Sequence, residues 1–424
     1  MSDAPVTTPN IGLIKSDVLG SEDVWGDQLN QNADTLDAVI GGLQVDAAGA
    51  PFLPLAGGKM NGMLTLDAPP SAALDAATKQ YVDSQVSSVS GIVEAPQDGL
   101  VYGRSNAHWT AVVANNNIGR NLLHNPLFNV AQRGVGPFAG SFQYTLDRWC
   151  MANVLDTWNV TQAPITDGAR GSIGDEAAAV ALQVFFVGST DPTAFCQLQQ
   201  RIESVRRLAG KTVTVSFWAA CAAGTLKLGL NLVQTFGVGG SPSAQVLALS
   251  AGASVTLSTT YTRYSVTVSM PSVAGKTFGT TPGTDFTLLQ FGLSAGANGS
   301  PSLGNIGVQT GTINLWGVQL EIGSVATPLE KPDPRYDLAN CQRFYCTGQY
   351  SWFGYGALGY NTSMYTLPMT MRGTPTITNN VTSSAGANSP TIDPSSPSVV
   401  RLNIQCPVVG PFNYLGSFTA SADL

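Results

Sequence analysis

From Ala178 onward the chain repeatedly alternates apolar and polar positions. In Lys211–Ala220, Val213, Val215 and Phe217 alternate with Thr212, Thr214, Ser216 and Trp218, and Leu226, Leu228, Leu230 and Leu232 share one face of the next segment. Similar runs at Ala178–Val187, Phe195–Gln200, Tyr261–Met270, Phe286–Leu293 and Thr312–Glu321 are separated by Gly, Ser and Pro. A period of two with turn residues between short runs predicts an antiparallel β-sandwich. Upstream, two segments follow a helical period instead. The first starts at Ser21 and stops at Gly41-Gly42, with Trp25, Leu29, Asn32, Leu36 and Val39 along one seam. The second runs from an N-cap at Ser71 to Gly91, with Thr78, Val82, Gln85, Val89 and Ile92 at steps of four, three, four and three. About three turns of amphipathic helix are not stable alone in water, so the heptad seam predicts self-association or docking.

These patterns divide the chain at residues 1–52, 53–93, 94–119, 120–346 and 347–424. Within 94–119, Leu100–Arg104 and His108–Val112 flank Ser105-Asn106-Ala107, a hairpin signal. The sandwich leaves through a short helix over Asp337–Tyr345, and an aromatic-rich β-region follows from Gln349. The predicted class is mainly β, with helices confined to the front and to the connections.

Composition narrows what such a protein does. Charged residues are 11% of the chain against 46 Gly and 25 Pro, a balance suited to turn-rich β-structure. A net charge of −7 without a clustered basic face argues against nucleic-acid binding. No run of eighteen apolar residues is present, so no membrane-spanning helix is expected, and MSDAPVTTPN lacks the features of a secretion signal. Cys150, Cys196, Cys221, Cys341, Cys346 and Cys406 form no C-x-x-C pair, and His108 and His124 are the only histidines. Buried or unpaired thiols are expected rather than a metal site, and no cofactor is implied.

Enzyme motifs nearly occur. Gly292-Leu293-Ser294-Ala295-Gly296 fits G-x-S-x-G, but the following Ala-Asn-Gly-Ser-Pro cannot open a helix, and no histidine lies downstream. Gly210-Lys211-Thr212 and Gly275-Lys276-Thr277 lack the first Walker glycine, with Val205 and Met270 in its place. Asp147 and Arg148 are expected to form an ion pair, and no catalytic residue is assigned. Binding is the better prospect. Tyr350, Trp352, Tyr355, Tyr360, Asn361 and Tyr365 fall within sixteen residues, interleaved with Gly354, Gly356 and Gly359. Aromatic rings stack on the apolar faces of sugars, amides satisfy the hydroxyls, and glycines permit close approach. The alternative use of these aromatics is to pack several chains together. Trp158 and Asn159 are further candidates on the sandwich.

Several stretches resemble bacteriophage tail-fibre and receptor-binding proteins. LPLAGGKMNGMLTL (from Leu53) with AATKQYVD is similar to their shaft-and-neck element, and TPNIGL with SEDVWGDQLNQNADTLD to their attachment segment. NLLHNPLFNVAQRG (from Asn121), YTLDRW (from Tyr144) and WGVQLEIGSVATP (from Trp316) resemble their jelly-roll domains, and FTASADL their tips. The resemblance implies an elongated homotrimer with a parallel coiled-coil neck through Thr78, Val82, Gln85, Val89 and Ile92, a jelly roll and a C-terminal β-tip. It implies attachment to a tail or baseplate protein through Trp25, Asp27, Leu29, Asn32 and Leu36. It also implies assembly in the host cytoplasm, residence in the virion tail, and multivalent binding of host surface polysaccharide. The alternatives are a structural collar, head or baseplate fibre, and a polysaccharide depolymerase, which needs paired carboxylates.

Overall fold

The computed structural model describes residues 29–40, 68–72, 75–89, 94–96, 102–105, 108–111, 119–356, 358–386, 390–406 and 409–424. The chain divides into two compact units, Met1–Val112 and Val113–Leu424.

In the first unit, helix α1 covers residues 29–40 and α2 covers Lys79–Val89. Trp25, Asp27 and Ile92 lie outside the described residues. Leu29, Asn32, Leu36 and Val39 are exposed on α1, so its expected seam faces outward. Helix α2 begins later than the Ser71 N-cap expectation. The Asp75 carboxylate instead accepts the Ser71 and Ala72 N–H groups, both at 2.7 Å, closing a turn that competes with a helix there. Those hydrogen bonds also hold the exposed Asp75 carboxyl below the usual range. Thr78 is the cap, its Oγ1 accepting the Tyr81 N–H at 3.0 Å. Along the expected seam, Val82 is 46% exposed and Gln85 is exposed. Strands β1 (Tyr102–Ser105) and β2 (His108–Ala111) pair antiparallel with Ser105 opposite His108, as the hairpin signal predicts.

The second unit opens with strands β3 (Gln143–Tyr144), β4 (Cys150–Val154) and β5 (Thr157–Pro164), then helix α3 (Asp167–Ile173). Strands β6 (Val180–Val187), β7 (Phe195–Glu203), β8 (Thr212–Cys221) and β9 (Lys227–Phe236) follow. β10 (Val246–Leu247), β11 (Ala253–Thr256), β12 (Thr262–Ser269), β13 (Asp285–Ala295) and β14 (Thr310–Ile322) complete a sandwich. One sheet has the order β10-β9-β13-β7-β4-β3 with β11 also on β9; the other has the order β12-β8-β14-β6-β5. All pairs are antiparallel, and neighbours such as β7 and β13 are distant in sequence, as in a jelly roll. Val213, Val215 and Phe217 of β8 meet Leu228, Leu230 and Leu232 of β9 in one core, as their alternation requires. Trp149 lies in that core beside Phe128 and Phe291, with ring centroids at 5.2 and 6.4 Å. Ser294 of the G-x-S-x-G sequence lies within β13, fully buried, beside a bulge rather than at a strand-to-helix elbow. The six cysteines are all free and buried.

Helix α4 spans Pro334–Gln342, capped by Asp333, and so begins and ends earlier than predicted. Asp333 and Pro334 supply a cap and a first helical residue, and the strand signal of Tyr345 takes over at once. A second, smaller sandwich follows. Strands β15 (Tyr345–Gly356), β16 (Gly359–Thr366), β17 (Thr376–Ala385), β18 (Thr391–Ser396), β19 (Val399–Cys406) and β20 (Gly410–Ser421) form two sheets, β15-β20-β17 and β16-β19-β18. Their inward residues share one core around Phe412, Tyr414 and Phe418.

This tip is joined to the large sandwich through charge. Asp147 and Arg148 do not pair with each other. Asp147 lies 3.6 Å from Arg133 and accepts two hydrogen bonds from Gln132. Arg148, at φ +71, reaches the other way, 3.7 Å from Asp423, and its guanidinium stacks 3.4 Å from the centre of the Phe344 ring. Arg133 also pairs with Asp423, and Arg343 and Arg372 both meet Glu203. His124 sits beside the Phe344 ring, and burial together with Arg148, Arg207 and Arg343 pushes its pKa down to about 3. A neutral imidazole in the fold gives stability that is complete above the unfolded value of 6.5 and lost as pH falls towards 3. The loss is expected to be up to about 1.4 kcal/mol per pH unit. Asp337, pushed up to about 6 chiefly by burial, acts with the opposite sign: its contribution is present below 3.8 and lost as pH rises through 6. The check is therefore comparative. Denaturation curves from pH 7 to 4 are expected to fall less steeply for His124→Gln than for the parent, with Asp337 common to both.

Candidate functional site

The aromatic cluster that the sequence places in one stretch is divided by the pleat. On β15, Cys346, Tyr350 and Trp352 point inward while Thr347, Gln349, Ser351, Phe353 and Tyr355 point outward. The chain then crosses to the other sheet, where Asn361, Ser363 and Tyr365 of β16 turn inward and Tyr360, Thr362 and Met364 turn outward. Tyr355 and Tyr360, 73% and 75% exposed, therefore stand on opposite faces of the tip. Asn361 is not a surface amide: its Nδ2 donates to Cys406 Sγ at 3.2 Å. Trp158 is not a surface ring either. The alternation of β5 sends it into the large core at 4% exposure, with Nε1 donating to Asn153 Oδ1 at 3.0 Å. Asn159 beside it is half-buried.

Two of the interleaved glycines serve the core rather than a ligand. A Cβ on Gly354 would lie 2.7 Å from the Phe412 ring, and one on Gly356 would lie 2.4 Å from Cys406 Sγ. They let two sheets of bulky side chains close on each other.

Trp352 keeps its candidacy. β15 and β16 are edge strands of their sheets, and a groove of about 290 Å³ opens between them. Its aromatic walls are Tyr350, Trp352 and Tyr365, Ser363 faces in beside them, and the outward-pointing Gln349 and Ser351 lie at its rim. The walls are fixed from behind. Trp352 meets Phe412 edge-on at 5.6 Å, Tyr365 meets Phe418 edge-on at 5.1 Å, and Tyr350 Oη hydrogen-bonds Asn379 Oδ1 at 2.8 Å. Rings held this way need little ordering when a ligand arrives. From Tyr345 to Thr366 there is no charged residue and no proline. The arrangement suits neutral rings with hydroxyl groups, since burying those beside amides and hydroxyls exchanges hydrogen bonds without desolvating a charge. Gln349, Ser351 and Ser363 escape sequence reasoning because the groove exists only where two sheets meet. Among the described residues no cluster of His, Cys, Asp and Glu suited to a metal ion occurs.

No protein-family model and no curated protein matches the chain. Among solved structures it is similar to the enzymatically active domain of tailspike protein 4 of bacteriophage CBA120, at 13% identity and a TM-score of 0.26. That match covers 48% of this chain and 21% of the other. It is also similar to a family 11 carbohydrate-binding module from Clostridium thermocellum, at 10% identity over 45% of this chain and 100% of that one, with a TM-score of 0.26. The CBM22-1 xylan-binding domain from Paenibacillus barcinonensis gives 10% identity over 49% and 96%, again with a TM-score of 0.26.

The two sides of the tip differ in how their edges are protected. β17 carries a bulge between Val381 and Ser383, and β18 carries Asp393, Pro394 and a second bulge, all of which hinder another strand from adding. β15 and β16 pair with their neighbours without a break and bear neither charge nor proline. The open side of the tip is the side with the groove.

Proposed function

We propose that this chain is a recognition protein of a phage tail, a fibre or receptor-binding protein that attaches the particle to surface polysaccharide through its C-terminal tip. The observation that carries the reading is the uncharged groove between β15 and β16, walled by Trp352 and Tyr365 and fringed by Gln349, Ser351 and Ser363. Recognition rather than catalysis is its work, with no cofactor. The outward seams of α1 and α2 are consistent with three parallel copies sharing them, and three weak sites on one axis raise avidity through effective concentration. The tail or baseplate contact falls to the N-terminal segment, and the protein is assembled in the host cytoplasm. The test is a glycan array probed with the full chain. Binding to a set of bacterial surface polysaccharides is expected. Binding to none of them, with retention by other virion proteins, would replace this reading with a structural fibre. Release of reducing sugar from a bound polysaccharide would replace it with a depolymerase.

A second reading has its own observation: the unprotected edges of β15 and β16 suit strand addition by another copy, which would turn the groove into a seam between subunits.

A further inference from the structure

Away from the tip groove, a cavity of about 380 Å³ lies between α4 and the segment that leads into the large sandwich. Its walls are mostly apolar, from Leu127, Val130, Pro332, Pro334 and Leu338. Asp337, in the first turn of α4, also lines it and is 4% exposed. One carboxylate oxygen accepts the Asn125 N–H at 2.7 Å. Asp147 and Glu321 are equally buried carboxylates, and each has an arginine within 4 Å, whereas among the described residues the buried Asp156 has none. Among the described residues Asp337 has no such ion pair. The charged group that acts on it is Asp147, a second carboxylate, and the Cys341 thiol one helical turn along is buried beside them. A desolvated carboxylate without a counter-ion is costly, and a cation supplied from outside relieves that cost.

We propose that this cavity binds a primary alkylammonium group, the ammonium on the Asp337 carboxylate and the alkyl stem along Leu127, Val130 and Leu338. The site is independent of the tip groove and uses none of its residues. Burial and Asp147 push the Asp337 carboxyl up to about 6, so the anion that the ammonium requires is present at pH 7.5 and largely absent at pH 5.

The test titrates n-butylammonium chloride into the full chain by calorimetry, with n-butanol as the neutral control. Saturable binding of the ammonium, well above that of the alcohol, is expected at pH 7.5, weakening about tenfold at pH 5. Asp337→Asn keeps an oxygen for the Asn125 N–H and removes the buried charge, so its melting at pH 7.5 is expected to be no lower than the parent's while ammonium binding is lost. Equal binding by Asp337→Asn, absence of saturable binding by the parent, or affinity independent of pH would each overturn the proposal. The pH comparison needs no variant, so it decides the matter even where the substitution fails to fold.

Discussion

Asp423→Ala is expected to cost about 3–5 kcal/mol of unfolding free energy in denaturant titration of the full chain. The carboxylate lies where the tip returns to the large sandwich, pairing with Arg133 and lying 3.7 Å from Arg148. Arg148 is fully buried, and its Nε and Nη1 have no hydrogen-bond acceptor of their own. Removing Asp423 leaves two guanidinium groups in low dielectric with less compensation, and Asp147 alone remains beside Arg133. Exposure decides the size of such an effect. Asp83, which pairs with Lys79 on the surface of α2, is expected to lose less than about 1 kcal/mol on the same substitution. Comparable losses at the two sites would mean that the junction is not dry.

Trp149→Ala is expected to destabilise by a similar amount, about 3–5 kcal/mol, for a different reason. The indole is wholly buried between Phe128 and Phe291, and its Nε1 donates to the Asn125 carbonyl at 3.0 Å. Truncation opens a cavity and leaves that carbonyl with the Phe128 N–H, at 3.2 Å, in place of two donors. Trp149→Phe keeps most of the packing and loses only the hydrogen bond, so about half the loss or less is expected. Equilibrium denaturation of both variants checks the ratio. A Phe variant as unstable as the Ala variant would assign the effect to the polar contact.

The two substitutions mark what was legible in the chain and what was not. Alternation set the strands of the large sandwich within a few residues, as Lys211–Ala220 against β8 and Thr312–Glu321 against β14 illustrate. Periodicity works there because one face of each strand must be apolar. β4 and β5 went unseen: CMANV is short, and TWNVTQAP, on an edge strand, sends Thr157, Asn159 and Thr161 away from the core. The α2 start was misplaced because Asp75 takes the backbone donors that a Ser71 cap would have presented. The tip aromatics share one stretch of sequence, but a pleat and a change of sheet send neighbours in different directions. The Arg133–Asp423 contact spans 290 residues, and no local pattern announces it.

Of the residues chosen from sequence, Trp352 lines a groove, Tyr355 and Tyr360 stand on opposite outer faces, and Asn361 and Trp158 serve the interior. If the groove holds a sugar ring, its aromatic walls carry the affinity, and the large sandwich with its junction fixes the direction in which the tip points.

The most direct measurement is the attachment of fluorescently labelled full chain to bacterial cells bearing a polysaccharide that scores on the glycan array, for the parent and for Trp352→Ala combined with Tyr365→Ala. Far-ultraviolet circular dichroism of both proteins confirms that the tip sheets persist. Loss of cell attachment by at least about tenfold, as expected when two stacked rings are removed, is the predicted result. Undiminished attachment by a folded double variant would contradict the account.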